Sequence, residues 1–228
     1  MGFLIDENKP LIKICCIASL EEAQMATDAC VTAIGLVGRM PSGPGVIEDA
    51  LIRDIAASAP GGIETFLLTS ETSPVEIIAH HRRTKTTTIQ LVDTVSNANY
   101  QDLRNAMPDV KLVQVIHVMN NNSVDEAIEK SEYVDALLLD SGNPGLQTKV
   151  LGGTGKIHNW KLSREIVERA GVPVILAGGL NPGNIREALK QVQPHGVDVC
   201  SGVRTHGKLD PGKLEAFINL ILGENRHY

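Results

Sequence analysis

Lys13 and Cys15 stand two residues apart in a short apolar run. Alternate residues of an extended strand share a face, so the two side chains point the same way. A cation beside a thiol favours the thiolate, the form that acts as a base or nucleophile. A buried, inert cysteine is the competing reading of the same residue. A carboxyl closes a second apolar run at Asp140, ahead of Ser141-Gly142. Two glycine-bearing turns then follow in the last third of the chain, Ala177-Gly178-Gly179-Leu180-Asn181 and Cys200-Ser201-Gly202-Val203. Glycine has no β-carbon, so its peptide can come close to phosphate oxygens, and a helix N-terminus adds a favourable dipole. Gly178, Gly179, Ser201 and Gly202 are therefore expected to bind phosphate.

These groups are carried by eight apolar runs alternating with amphipathic stretches. The runs cover 11–15, 33–37, 65–68, 87–91, 112–117, 136–139, 174–176 and 197–200. Helical spacing covers 20–29, 47–57, 74–83, 100–106, 123–130, 160–170, 182–192 and 211–222. Ser19 with Glu22 reads as a capping box, and Ser73, Asn181 and Asp210 each precede a proline suited to the first helical turn. Strict alternation leaves an open doubly wound sheet or a closed barrel. The first strand is followed by Cys16-Ile17-Ala18-Ser19, without the glycines of a dinucleotide turn. Eight units in 228 residues fit an α/β fold of one (β/α)8 TIM barrel spanning 1–228 as a single domain. Barrel active sites lie where strands end, and phosphate commonly sits after strands seven and eight, where both glycine turns fall.

Composition removes several classes of function. A net charge of -6 and 3% aromatic residues argue against a nucleic-acid partner. The basic run His80-His81-Arg82-Arg83 reads as the solvated end of a helix. No apolar run reaches the roughly 20 residues of a membrane span, and the first ten residues lack a signal-peptide pattern, so a cytoplasmic protein is expected. Cys15, Cys16, Cys30 and Cys200 have no zinc spacing and are expected as free thiols, with no metal. The glycine-rich stretch 151–160 exceeds a minimal connection, and reads either as a functional loop or as a solvated insertion. His117 reads as a core histidine or a pocket residue, and Lys149 and Lys156 as surface lysines.

Taken in order, Lys13-Ile14-Cys15, Leu138-Leu139-Asp140-Ser141, Gly152-Gly153-Thr154-Gly155 with Trp160, Leu176-Ala177-Gly178-Gly179-Leu180, and Val197-Asp198 with Ser201-Gly202-Val203 resemble the phosphoribosylanthranilate isomerase family of tryptophan biosynthesis. The resemblance implies a cofactor-free Amadori rearrangement of a small phosphorylated sugar-amine to a 1-amino-2-ketose. By position Cys15 matches the general base that removes the C2′ proton, and Asp140 the general acid that protonates the ring oxygen. Lys13, Gln90, Gly153 and Thr154 are expected as further substrate contacts, in a monomer or homodimer.

Two positions depart from the family pattern. Where the family has an arginine after strand two, which pairs with the anthranilate carboxylate, this chain has Gly45. Where strand four ends in a histidine, this chain has Val92, followed by Asp93. Arg39 or Arg204 is a candidate replacement cation, with Arg204 also read as a phosphate neutraliser or an exposed residue. The residue after the matching cysteine, glycine in the family, is Cys16. A barrel that binds a phosphometabolite without turning it over, or acts on another phosphosugar, is the alternative.

Overall fold

The computed structural model describes residues 10–41, 43–142 and 158–223. Gly153, Thr154, Lys149 and Lys156 lie outside the described residues. The first half runs β1 (Leu11–Ile14), α1 (Leu20–Asp28), β2 (Ala33–Val37), α2 (Asp49–Ser58), β3 (Glu64–Thr69), α3 (Pro74–Thr84), β4 (Thr88–Leu91) and α4 (Asn97–Ala106). The second runs β5 (Lys111–His117), α5 (Asn122–Ser131), β6 (Ala136–Asp140), α6 (Trp160–Arg169), β7 (Val174–Leu176), α7 (Ile185–Val192), β8 (Gly196–Val199) and α8 (Pro211–Leu222). A small antiparallel ribbon, β9 (Arg204–Thr205) and β10 (Lys208–Leu209), lies between β8 and α8.

Strands β1 to β8 pair in parallel in chain order, and β8 returns to β1 to close the barrel. The closing register sets Lys13 opposite Asp198 and Ile14 opposite Val199. Period-two alternation divides each strand between two packed layers. Ile12, Ile14, Ile34, Leu36, Leu67, Leu112, Ile116, Leu137 and Leu139 join the layer under the helices, with Ile52, Ile55, Ile166 and Phe217. Cys15, Ala33, Val37, Phe66, Val113, Val115, Ala136 and Leu138 fill the barrel interior. The expected barrel is therefore present, and each inward-facing strand end reaches one common mouth.

Capping follows the sequence signals in part. The Glu22 amide donates to Ser19 Oγ at 3.2 Å, while the Glu22 carboxylate accepts from Ala18 N at 3.1 Å instead of returning to Ser19. Asp210 caps α8 by accepting from Lys213 N at 3.1 Å. Two helix starts differ from the periodicity. Ile47 donates its amide to Val37 O at 2.9 Å, so this segment extends the edge of β2 and α2 begins later, at Asp49. Pro182 does not start α7. The Asn181 side chain accepts from Gly183 N at 2.8 Å, and Asn184 accepts from Asn181 N at 2.9 Å. These side-chain turns use the amides a helix would need, and α7 starts at Ile185.

Candidate active site

Cys15 follows β1 directly and is fixed by donating its amide to Val199 O at 2.8 Å. Asp140 is the last residue of β6, and its Oδ1 accepts from the Ser141 amide at 2.7 Å. The thiol and the carboxyl line one cavity at the barrel mouth, together with Gln90, Gly178, Gly179 and Ser201. Gln90 Oε1 is buried with no partner among the described residues. An unpaired buried acceptor costs free energy unless a ligand or water satisfies it, so it marks a contact point.

The glycines are held there by geometry. Gly178 and Gly179 have φ of 81° and 65°, the left-handed region that disfavours a side chain. A β-carbon on Gly178 would stand 3.0 Å from His158 Nδ1 and 3.2 Å from Asp140 Oδ1, so this loop packs directly on the carboxyl. Gly202 sits differently from its neighbours. It is pressed against the Leu180 carbonyl and Asn181, where a β-carbon has no room, and it is not among the cavity-lining residues. Its role is to seat the loop after β8 against the loop after β7, leaving Ser201 at the lining.

Lys13 lies one layer deeper than the mouth. It is fully buried, donates to Asp198 Oδ1 at 2.9 Å, and rests over the Phe66 ring at 5.1 Å. Burial draws on its ammonium, but the Asp198 carboxylate and the Cys15 and Cys16 sulfurs outweigh that effect and hold it above the usual lysine range. Asp198, which does line the cavity, is pushed up by burial and by Asp140, against the pull of Lys13. A β-carbon on Gly35 of β2 would lie 2.9 Å from Cys15 Sγ and 3.0 Å from Lys13 Nζ, so that glycine makes room for both.

Neither candidate replacement cation faces the cavity. Arg204 donates to Glu22 at 2.9 and 3.1 Å, to Cys16 O at 2.6 Å and to Cys15 O at 3.2 Å. It is thus half-buried and not among the cavity-lining residues; it clamps the chain behind Cys15. Arg39 is exposed and lies beside Glu48, Asp49 and Glu71, in a separate depression. His117 is buried opposite Asp140 in the register, with Nε2 donating to Val92 O at 3.1 Å and Nδ1 buried without a hydrogen-bond partner among the described residues. It is not among the cavity-lining residues, which supports the core reading, with one ring nitrogen left unsatisfied.

Val37, Met40, Leu68 and Val115 were not singled out from sequence as site residues; with Pro44 and Val92 they form an apolar side of the cavity, which Asp198 and Cys200 complete. His158 is bonded through Nε2 to Ser163 Oγ at 2.7 Å, while its Nδ1 is buried without a partner near Gly178 and Asp140. Burial pushes its pKa down to about 4 against the pull of Asp140, so the ring is neutral at neutral pH. Its place in the glycine-rich stretch, two residues before Trp160, was the available signal.

No helix among the described residues is long and apolar enough to cross a membrane. The family model for N-(5'-phosphoribosyl)anthranilate isomerase matches residues 53–220. An N-(5'-phosphoribosyl)anthranilate isomerase 2 of Methanosarcina mazei is 34% identical over 210 residues, covering 91% of this chain and 92% of that protein. The isomerase of Nostoc punctiforme is 35% identical over 205 residues, covering 89% and 94%. The solved phosphoribosylanthranilate isomerase of Thermotoga maritima superposes with a TM-score of 0.81 at 26% identity, covering 94% of this chain and all of that one. These relatives carry the name of an enzyme, which does not favour the reading as a non-catalytic phosphometabolite binder. With the barrel, the cavity and the matched segments agreeing along the length of the sequence, the chain belongs to the N-(5'-phosphoribosyl)anthranilate isomerase family.

Proposed function

We propose that this chain isomerises N-(5'-phosphoribosyl)anthranilate to its 1-amino-2-ketose, with Asp140 as the general acid and Cys15 as the general base. The observation that carries this reading is the shared cavity: a thiol after β1 and a carboxyl ending β6, beside the glycine turn after β7. Asp140 protonates the furanose oxygen, the ring opens, and a Schiff base forms at C1′. The positive nitrogen acidifies C2′, whose proton the Cys15 thiolate removes. The resulting enolamine then tautomerises to the ketone. No redox cofactor or metal is needed to balance these steps.

The remaining residues support that chemistry by position. Gly178, Gly179 and Ser201 serve the 5′-phosphate, with Gly202 holding the two loops together. Fixing the phosphate lets remote binding energy align the reacting carbons. Gln90 Oε1 takes a substrate hydroxyl or amine, consistent with its missing partner. Lys13 acts through Asp198, whose carboxyl reaches the lining. The apolar side built by Val37, Met40, Leu68, Val92 and Val115 suits an aromatic ring. We read residues 1–228 as one barrel domain in the cytoplasm, a monomer or homodimer.

The test is complementation of a tryptophan-requiring strain that lacks this isomerase. Growth with the wild-type chain and no growth with Cys15→Ala or Asp140→Asn is the expected outcome. Failure of the wild-type chain, expressed and folded, would overturn the substrate assignment.

A further inference from the structure

The mechanism uses one thiol, yet three line the cavity: Cys15, Cys16 and Cys200. The closing register explains their meeting. Ile14 of β1 is opposite Val199 of β8, so Cys15 and Cys200 follow at the same level on adjacent strand ends. Neighbouring strands run roughly 4.8 Å apart, within the span a disulfide bridges. Cys16 would point away from the barrel if β1 continued, but its φ of 62° turns its side chain back among the interior residues. There it lines the same cavity as Cys200, which packs against the interior cluster that holds Cys15 and Cys16.

We propose that Cys16 and Cys200 form a peroxide-reactive dithiol that closes to a disulfide across the ends of β1 and β8. Cys200 is the half-exposed member and Cys16 is buried beside it, which gives the attacking and resolving roles. The S–H of Cys16 favours the Cys200 thiolate against burial, and the Arg204 guanidinium adds to it. Cys16 itself is held protonated by the same contacts. The Cys200 thiolate attacks one oxygen of hydrogen peroxide, forming a sulfenic acid and releasing hydroxide. The Cys16 sulfur then attacks the sulfenic sulfur, expelling a second hydroxide as its own proton leaves. In sum two thiols and one peroxide give one disulfide and two waters; the sulfurs lose two electrons and the peroxide gains two.

The bond would tie the residue next to Ser201 to the residue next to Cys15. Turnover is therefore expected to fall on oxidation and return with dithiothreitol, a consequence that rests on the proposed isomerase reading. The bond itself does not. The direct readout is peptide mass spectrometry of the whole chain after brief exposure to hydrogen peroxide. A Cys16–Cys200 cross-link is expected, with Cys200 oxidised roughly tenfold faster than exposed Cys30, an internal control. Cys15→Ser should still cross-link, although inactive. Cys16→Ser should not, leaving a Cys200 sulfenic acid that dimedone traps. Cys200→Ser abolishes the cross-link equally and replaces Cys16→Ser if that variant does not fold. A link through Cys15, oxidation confined to Cys15, or a Cys200 no more reactive than Cys30 would overturn the proposal.

Discussion

Gly45 and Cys16 share one space. A β-carbon on Gly45 would fall 2.6 Å from Cys16 Cβ, and Gly45 has a φ of 78°. Two of the three departures from the family pattern, glycine to cysteine after Cys15 and arginine to glycine in the loop after strand two, are thus in contact. The cysteine fills the volume that any side chain on the loop would need.

Gly45→Ala should destabilise the fold by about 1–3 kcal/mol, through the left-handed backbone and the clash together. Adding Cys16→Gly should recover part of that loss. Urea unfolding of the two single variants and the double variant measures the coupling. An additive result would show that the two residues do not constrain each other.

The buried Lys13–Asp198 pair makes a second prediction. Lys13→Met leaves the Asp198 carboxyl without its partner in the barrel interior, and should cost about 3–5 kcal/mol. Replacing both residues, Lys13→Met with Asp198→Leu, should cost much less. Equal losses in the single and double variants, read from denaturant midpoints, would contradict a charge-based origin.

His158 predicts a pH dependence of stability. Its folded-state pKa, about 4, lies below the ordinary value of 6.5, so the unfolded chain binds the proton more readily between those limits. Stability attributable to the neutral ring is complete above about pH 6.5 and is lost as pH falls toward 4, by roughly 2–3 kcal/mol. His158→Phe should flatten this part of the stability profile. An unchanged slope between pH 7 and 4.5 would assign the acid sensitivity to other groups.

The glycine turn after β7 can be tested through the carboxyl it touches. Gly178→Ala should lower kcat roughly tenfold or more, because its methyl would press on Asp140 and His158. Gly202→Ala instead separates the two loops and should act on KM. Steady-state kinetics distinguish the two patterns, and interchanged effects would contradict the assigned positions.

Much of this was legible in the sequence because barrel strands carry a strong local signal. Runs such as 33–37 and 174–176 are apolar on both faces, and the observed β2 and β7 have those bounds. Cys15 and Asp140 could be located because each closes such a run. What escaped depends on contacts between distant segments. The start of α7 at Ile185 is set by the side chains of Asn181 and Asn184, which override a proline signal. Arg204 is drawn away from the cavity by Glu22, 182 residues earlier, a pairing that no local pattern encodes. The inward turn of Cys16 requires a positive φ, which strand alternation cannot express. Cys200 reaches the cavity, and His158 reaches Gly178 beside Asp140, only when β1, β6, β7 and β8 end at one mouth.

The acid–base assignment is tested most directly by single-turnover kinetics of Asp140→Asn on N-(5'-phosphoribosyl)anthranilate, with saturating enzyme and the fold checked by circular dichroism. The chemical step should slow by about 10²–10⁴-fold while the substrate still binds. A rate equal to wild type in a correctly folded variant would contradict Asp140 as the proton donor.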